Sequence, residues 1–301
     1  NLLNLNIIPI IESVYMPELP EVEVLKQSLV KNIKNHRILA VKVNNPNLRY
    51  KLSQNFQNKI KKKIIIKIDR LSKYLIFFLN NNTYFIIHLG MSGVIYLKKN
   101  KKKIRTSFYF SGNLQDKHNH VLFILSKNKV LVFNDQRRFG FIKYFEKIKI
   151  NENKIFRNLG PEPLAKKFNY QYVYNIIKKR KVNIKCLLMN QNFVSGLGNI
   201  YANEILFFSK LTPFKISKNL KNKEIINIIK WTKILLKKSI KLGGSSIKNY
   251  QSIDGKTGRF QQKFSVYGRQ NMPCVTKGCK GKIKRTLILN RSTFYCNYCQ
   301  K

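Results

Sequence analysis

Residues 74–89 read YLIFFLNNNTYFIIHL. Two runs of aromatic and branched apolar residues, Tyr74–Leu79 and Tyr84–Leu89, flank three consecutive asparagines. Asparagine is a frequent turn residue, so the pattern predicts an antiparallel β-hairpin. Similar runs lie on both sides of this hairpin, and they include Lys63–Ile68, Ser107–Phe110, His120–Leu125, Val130–Phe133 and Phe141–Phe145. About seven strands with turns between them predict an antiparallel β-sandwich.

Helical periodicity flanks the predicted sandwich. A helix is predicted from Glu21, because apolar residues follow it at Val22, Leu25, Leu29 and Ile33. After the sandwich, helical spacing returns in four segments, which are Tyr170–Lys178, Val182–Met189, Asn199–Ser209 and Lys221–Leu242. A glycine-rich stretch, residues 243–258, then predicts a loop.

The predicted fold class is therefore α+β, in several domains. We expect residues 16–149 to form the sandwich domain with its flanking helix, 150–264 a helical domain, and 265–301 a small cysteine-rich module. Residues 1–15 are expected to be an extension that is absent from the mature protein.

The composition favours a polyanionic partner. Lys and Arg number 59 against 13 Asp and Glu, which gives a formal charge of +46. Such a charge favours nucleic acid first and an anionic membrane surface second. The abundance of Lys, Asn and Ile is also typical of AT-rich coding, so coding bias accounts for part of the excess. With 44% hydrophobic residues, the chain is not disordered along its whole length.

The sequence shows neither a membrane span nor an export signal. The apolar runs are far shorter than the ~20 residues that a bilayer requires. Residues 1–15 lack a basic start and include Asn and Pro, which is a poor match to a signal peptide. We expect a cytoplasmic protein of the bacterial type, in which cysteines are metal ligands or free thiols and not disulfides.

Four of the five cysteines lie close to the carboxyl end. Cys274 and Cys279 precede Cys296 and Cys299, with sixteen residues between the two pairs. Two short-spaced pairs at this separation suit one tetrahedral Zn²⁺, and free cysteines in a degenerate module are the alternative. Cys186 stands alone and is expected to be a small core residue.

Several motifs resemble one family. The stretch MPELPEVE at residues 16–23 resembles the amino terminus of formamidopyrimidine-DNA glycosylase, a repair enzyme for oxidised purines. Further blocks follow in family order, and they are SKYL (72–75), HLGMSG (88–93), KHNHV (117–121), DQRRFG (135–140), LGPEPL (159–164), GLGNIYA (196–202), SIDGK (252–256) and TFYC (293–296). The resemblance runs from Met16 to the end, about 95% of the chain. It implies an N-terminal catalytic β-sandwich, a helix–two-turn–helix domain with a lesion-capping loop and a zinc finger, with DNA in the cleft between them.

The resemblance implies that Pro17 is the nucleophile. A chain-terminal prolyl nitrogen is a secondary amine that titrates near ~7.7–8.0 and attacks the C1′ carbon of the sugar. The nitrogen of an internal proline is an amide and cannot do this. We therefore expect translation to start at Met16 and that methionine to be removed.

The resemblance also assigns roles to other residues. It implies that Glu18 is the acid and base at the sugar ring oxygen, and that Lys73 assists the first elimination and contacts phosphate. It also implies that Arg291 assists the second elimination and grips phosphate. Met91 and Phe139 match the positions that fill the gap left by the flipped base, and Arg137 faces the orphaned base. Phosphate contacts are implied for His118, Arg180, Lys185 and Asn199. The register at Arg180 is open by one residue, because 178–181 is a basic run.

Three positions depart from the family pattern. Gln136 replaces the usual proline, and the Cys274–Cys279 pair is two residues longer. The stretch GGSS (243–246) at the start of the predicted capping loop has serine for the usual threonine. None of them removes a catalytic group.

The sequence leaves other functions open. The first hypothesis is a bifunctional glycosylase and abasic-site lyase for 8-oxoguanine and formamidopyrimidines in duplex DNA, acting as a monomer. The alternatives are a sister endonuclease VIII-like glycosylase for oxidised pyrimidines, and a catalytically silent DNA-binding protein if residues 1–15 are retained. A basic structural nucleic-acid protein would explain the charge but not the order of the motifs.

Overall fold

The computed structural model describes residues 16–99, 102–105, 114–146, 149–244 and 264–301. Helix α1 (Leu19–Ile33) precedes strand β1 (Ile38–Val43) and the short helix α2 (Phe56–Ile60). Eight strands follow, and they are β2 (Ile65–Leu71), β3 (Tyr74–Leu79), β4 (Thr83–His88), β5 (Gly93–Lys99), β6 (Lys102–Arg105), β7 (Asn119–Leu125), β8 (Lys129–Asp135) and β9 (Phe141–Glu146).

These strands form two antiparallel sheets. One has the order β1-β7-β8-β5-β6 and the other the order β2-β3-β4-β9. Three stacked rings join them: Phe77 lies 4.6 Å from Phe85, and Phe85 lies 5.4 Å from Phe123 on the opposite sheet. The core formed in this way also buries the apolar face of α1, including Leu25 and Leu29. The predicted β-sandwich is confirmed.

Three strands of the sandwich, β1, β5 and β6, were absent from the sequence prediction. Strand β5 begins at Gly93 inside a loop motif, and β6 lies within a lysine tract, so neither carries a clear strand pattern. The predicted strand Ser107–Phe110 falls outside the described residues.

The helical domain contains four α-helices among the residues that the structure describes. They are α3 (Tyr170–Ile177), α4 (Ile184–Met189), α5 (Asn199–Phe208) and α6 (Asn222–Lys241). Helix α5 is buried along almost its whole length and packs against α4, α6 and the last strand of the chain, Arg291–Cys296. It is therefore the element around which the other parts of the site are arranged.

The carboxyl-terminal module is a single antiparallel hairpin. Strands β10 (Ile283–Ile288) and β11 (Arg291–Cys296) pair in register and bring the two cysteine pairs together at one end. In the described residues no helix is long and apolar enough to cross a membrane.

Candidate DNA-repair active site

Glu18 lies at the amino end of helix α5. The carboxylate is 2% exposed and accepts hydrogen bonds from the backbone N–H groups of Gly198 at 2.6 Å and Ile200 at 2.7 Å. These donors would otherwise have no partner at a helix start. Burial nevertheless dominates and raises the pKa of Glu18 to about 7, against the lowering effect of Lys73. The site therefore holds a carboxyl group that changes protonation near neutral pH.

Gly198 makes this approach possible. A methyl group at this position would lie 2.5 Å from Cδ of Glu18, far inside van der Waals contact. A side chain here would therefore displace the carboxylate from the helix start.

Lys73 faces the same space from the turn between β2 and β3. The side chain is 9% exposed, and its burial lowers the pKa of the ammonium group, while Glu18 and Glu21 oppose that shift. Glu18, Lys73 and Arg291 line one cavity of about 340 Å³. The cavity thus combines a carboxyl group, an amine and a guanidinium from three separate segments.

A partly buried ion-pair network supports the turn that carries Lys73. Ser72 precedes Lys73 and has a φ of 57°, in the left-handed region. Its N–H donates to Glu162 at 2.6 Å, and its carbonyl accepts from Arg70 at 2.9 Å. Arg70 pairs in turn with both Glu162 and Glu23. These contacts fix the backbone on both sides of Ser72, and so fix the start of the Lys73 side chain.

Pro17 is buried beside Glu18, and both Met16 and Glu18 line the cavity. The backbone N–H of Glu18 donates to Glu21 at 3.0 Å, which fixes the chain just after Pro17. The amino end of the sandwich domain thus approaches the cavity.

The hairpin that carries Arg291 is held by the helical domain. Lys185 is fully buried, and its ammonium group donates to the Ser292 carbonyl at 3.1 Å and to the Thr293 hydroxyl at 2.7 Å. Asn199 also donates to the Ser292 carbonyl, at 2.9 Å. Burial lowers the pKa of Lys185 to about 8. Both residues hold the strand next to Arg291, and their contacts with phosphate stay a prediction.

Two loops from the sandwich domain lie together at another edge of the site. Met91 lines the cavity, whereas Phe139 and Arg137 lie on the neighbouring loop outside it. Phe139 is 37% exposed, and the guanidinium of Arg137 lies 4.6 Å from the centre of its ring. Gly90, with a φ of 61°, passes so close that a methyl group there would lie 2.4 Å from the Phe139 backbone.

A buried carboxylate ties these two loops together. Asp135 accepts from the hydroxyl of Ser92, which itself accepts from the N–H of Arg137 at 3.0 Å. The other oxygen of Asp135 accepts from the N–H of Gly140 at 2.7 Å. Met91 and Phe139 are therefore carried on one rigid pair of loops, as a pair of wedge residues requires.

The remaining predicted contacts lie outside this cavity. His118 ends a short 3-10 turn, is partly buried, and has a pKa that burial and Lys117 lower. Arg180 is exposed after helix α3 and lines a second cavity, together with Lys185 and Arg291. Gly243 and Gly244 are described, but the rest of the predicted capping loop and the block at 252–256 lie outside the described residues.

Sequence reasoning gave no role to a histidine that lies in the cavity. His88 lines it, and burial lowers its pKa to about 3, so the imidazole is neutral. The Nδ1 atom accepts from the N–H of Gly90 at 3.1 Å, and the ring stacks on Phe141. The signal was its position at the head of the HLGMSG block, which was used for the resemblance but not for a role.

The four terminal cysteines form a single cluster. Their sulfur atoms all lie within 4.8 Å of one another, and the Cys274–Cys299 and Cys279–Cys296 pairs are each 3.7 Å apart. Tetrahedral Zn²⁺ with Zn–S bonds of ~2.3 Å requires sulfur atoms about 3.8 Å apart. The donor set and its geometry therefore suit such an ion. Cys186 lies elsewhere, in helix α4.

Comparisons with known proteins agree with this arrangement. The family model of the formamidopyrimidine-DNA glycosylase N-terminal domain matches residues 16–142, and that of the H2TH domain of the same enzymes matches residues 159–251. A formamidopyrimidine-DNA glycosylase of Rickettsia bellii is 43% identical over 286 residues, which are 95% of this chain and 100% of that protein.

The chain belongs to the formamidopyrimidine-DNA glycosylase family. A relative from the Wolbachia of Brugia malayi is 39% identical over 95% of this chain and its own full length. The solved structure of the Lactococcus lactis family member with DNA that contains an abasic site matches with a TM-score of 0.84 and 29% identity, over 94% of this chain and 99% of that one. Another complex from the same organism, with DNA that contains Fapy-dG, also gives a TM-score of 0.84, over 95% of this chain and 100% of that one.

Family membership confirms the resemblance and the predicted fold class. It assigns the chain to the DNA glycosylases of base-excision repair, and it does not favour the sister enzymes for oxidised pyrimidines. The individual site residues and the domain boundaries stay predictions.

Proposed function

We propose that this chain excises oxidised purines, chiefly 8-oxoguanine and formamidopyrimidines, from duplex DNA and then cleaves the strand at the resulting abasic site. The observation that carries the proposal is the cavity shared by Glu18, Lys73 and Arg291. An acid with a pKa of about 7 beside a partly desolvated amine suits a reaction that both donates and removes protons near neutral pH. The complexes of the Lactococcus lactis relative with abasic and Fapy-dG DNA support the same substrate class.

The first step needs the nitrogen of Pro17 as a free chain-terminal amine. Its lone pair forms a bond to C1′ of the damaged nucleotide while the bond from C1′ to the base breaks, and the base leaves with its electron pair and a proton. Glu18 protonates the ring oxygen as the sugar opens. The product is an iminium, which has no N–H to lose and therefore stays cationic and withdraws electrons from the sugar.

The second part of the reaction breaks the strand by β,δ-elimination. Loss of a proton from C2′ of the iminium expels the 3′ phosphate, and loss of a further proton expels the 5′ phosphate. Lys73 assists the first elimination, because burial lowers the pKa of its ammonium group and so makes the free amine easier to form. Arg291 assists the second and holds phosphate with its planar group of donors.

Duplex DNA is the proposed partner, bound by one chain as a monomer. Met91 and Phe139 fill the gap left by the flipped nucleotide, and Arg137 meets the orphaned base opposite. His118, Arg180, Lys185 and Asn199 hold the backbone. Exposure of Phe139 and the rigid link between its loop and that of Met91 support this assignment.

We also propose that Cys274, Cys279, Cys296 and Cys299 hold one structural Zn²⁺. The bound ion would supply the stability that a hairpin of this size lacks, and so hold Arg291 in place. Metal analysis of the purified protein is expected to give one zinc per chain. Treatment with a chelator is expected to release it together with a loss of hairpin structure, whereas a Cys186→Ala variant retains the metal.

Trapping with borohydride tests the proposed nucleophile. A protein that begins at Pro17 is mixed with a duplex that carries 8-oxoguanine opposite cytosine, and reduction of the iminium is expected to leave a covalent protein–DNA adduct. The adduct is expected to be absent with a Pro17→Gly variant whose amino terminus is acetylated, and with protein in which residues 1–15 are retained. Full strand cleavage by protein that retains those residues would overturn the proposal. The same assay on a duplex that carries an oxidised pyrimidine distinguishes the alternative, because preferential excision of that base would indicate the endonuclease VIII-like activity.

A further inference from the structure

The tip of the carboxyl-terminal hairpin presents an apolar side chain to solvent. Leu289 is 77% exposed, the most exposed of the large apolar residues that the structure describes. It lies at the turn between β10 and β11, two residues before Arg291. Exposure of one leucine to this extent gives nothing to the stability of the fold.

The backbone at this turn also disfavours leucine. Ile288 pairs with Arg291, so Leu289 and Asn290 form a two-residue hairpin turn, with φ values of 48° and 54°. Turns with two positive φ values favour asparagine and glycine, and a branched apolar residue is strained there. Leu289 is therefore unfavourable both in its conformation and in its exposure, and its presence calls for a contact outside the folded chain.

A second cavity indicates what that contact is. Leu289 lines a space of about 420 Å³ together with apolar Val182 and Ile288 and with the cationic side chains of Arg180, Lys185 and Arg291. Arg291 and Met189 line this space and also the cavity that contains Glu18, so the two spaces adjoin. An extended anionic ligand with an apolar part between its charges would suit both spaces.

A DNA strand has this chemistry, because phosphates alternate with deoxyribose rings whose carbon faces are apolar. An apolar protein partner suits the tip less well, because it would desolvate Arg180 and Arg291 without compensation. We propose that Leu289 packs against deoxyribose of bound DNA at the hairpin tip and so adds an uncharged contact to the phosphate contacts beside it. The inference rests on the proposed function, since it takes duplex DNA as the ligand.

The substitution Leu289→Asn tests this contact without harm to the turn. Asparagine adopts positive φ readily, so the thermal unfolding midpoint is expected to stay the same or to rise. Affinity is measured with a duplex that carries a tetrahydrofuran abasic analogue, over a series of salt concentrations. Loss of one apolar contact is expected to weaken binding about tenfold. Because no charge is removed, the slope of log affinity against log salt is expected to be unchanged.

A matched control removes another exposed leucine. Leu39 on strand β1 is 46% exposed, and Leu39→Asn is expected to leave affinity and salt slope as in the wild type. Arg180→Gln shows the contrasting behaviour of a charged contact, because loss of a phosphate contact is expected to make the salt slope shallower.

The outcomes separate this inference from the function on which it rests. If the wild-type chain binds the duplex and Leu289→Asn binds equally well, the sugar contact is wrong and the tip serves another purpose, such as a protein partner. A changed salt slope in Leu289→Asn would likewise contradict an uncharged contact. A wild-type chain that fails to bind the lesion duplex at all would overturn the proposed function itself.

Discussion

Glu18 is a carboxyl group under two opposing influences. Hydrogen bonds from the start of helix α5 and the nearby Lys73 favour its charged form, whereas complete burial and Glu21 favour its neutral form. Burial is the largest of these effects, and the pKa of Glu18 rises to about 7. At the scale of a single residue, the site therefore depends on how completely water is excluded from one carboxylate.

This balance predicts how stability changes with pH. The folded state binds a proton at Glu18 more tightly than the unfolded state does, so the contribution is fully present below pH 4.5 and is lost as pH rises through about 7. Glu18→Gln removes the titration. The unfolding midpoint of the variant relative to the wild type is therefore expected to rise between pH 5 and pH 8. A difference that stays constant over this range would contradict the raised pKa.

The rate of base excision by Glu18→Gln is expected to be about 10²–10⁴-fold lower than that of the wild type, which is the usual contribution of a general acid and base. The measurement is single-turnover excision of 8-oxoguanine. Binding of the duplex with the abasic analogue is the control, and it should be retained. Wild-type excision by Glu18→Gln would remove this residue from the proposed mechanism.

Gly198 gives a second prediction at this scale. Gly198→Ala places a methyl group 2.5 Å from Cδ of Glu18, so the carboxylate must leave the helix start. We expect excision to fall as far as in Glu18→Gln, with a lower unfolding midpoint. Gly278→Ala is the control, because a methyl group there meets nothing within 4 Å and adds only the strain of a positive φ. Equal activity of both alanine variants would contradict the close approach.

At the scale of elements, helix α5 organises the site. Its first turn binds Glu18, Asn199 holds the Ser292 carbonyl, and Asn203 accepts from the N–H of Phe294 at 2.8 Å. Further along, Glu204 accepts from three consecutive N–H groups at residues 265–267, at 2.9–3.0 Å. One helix thus positions the acid, the hairpin with Arg291, and Tyr267 at the edge of the cavity.

Glu204→Gln tests this organisation. An amide offers one acceptor oxygen where the carboxylate offers two, so at least one buried N–H loses its partner, at a cost of about 1–3 kcal/mol. We expect the urea midpoint to fall by a corresponding amount. Glu146→Gln, which breaks only an exposed pair with Lys59, is expected to change stability by less than about 1 kcal/mol. Similar changes in both variants would argue against the role of Glu204.

Sequence patterns predicted elements better than the contacts between them. The hairpin of β3 and β4 and the helices α3 to α6 carry a clear period and were found to within two residues. The catalytic candidates were found because their motifs are contiguous. Arg70 with Glu162 and Glu204 with residues 265–267 were missed, because the partners lie 92 and 61–63 residues apart and no local pattern links them.

At the scale of the whole molecule, charge is the dominant property. The chain carries 59 basic against 13 acidic residues. We expect part of this excess to follow from coding bias and part of it to serve DNA binding. Lysines that bind DNA must lie near its backbone, where they release counterions, whereas lysines that result from coding bias lie anywhere on the surface.

The dependence of DNA binding on salt measures that difference. Four cations predicted to meet phosphate, which are Lys73, Arg180, Lys185 and Arg291, would give a slope of about −3.6 in log affinity against log salt. We expect a steeper slope, because exposed lysines stand on both sides of Arg180. A slope of about −3.6 or shallower would show that the surrounding lysines make no phosphate contact.

Two matched double variants locate the effective charges. Lys179 and Lys181 flank Arg180, so their replacement by Gln is expected to make the slope shallower by up to about 2. Lys61 and Lys62 lie near the carboxyl end of α1, a 15-residue helix whose other end meets Glu18. At 1.5 Å per residue they are separated from the site by about 20 Å, so their replacement by Gln is expected to leave the slope unchanged. If both double variants changed the slope equally, the excess charge would act on DNA from all sides of the protein. The proposal that DNA binds beside Arg180 would then lose its support.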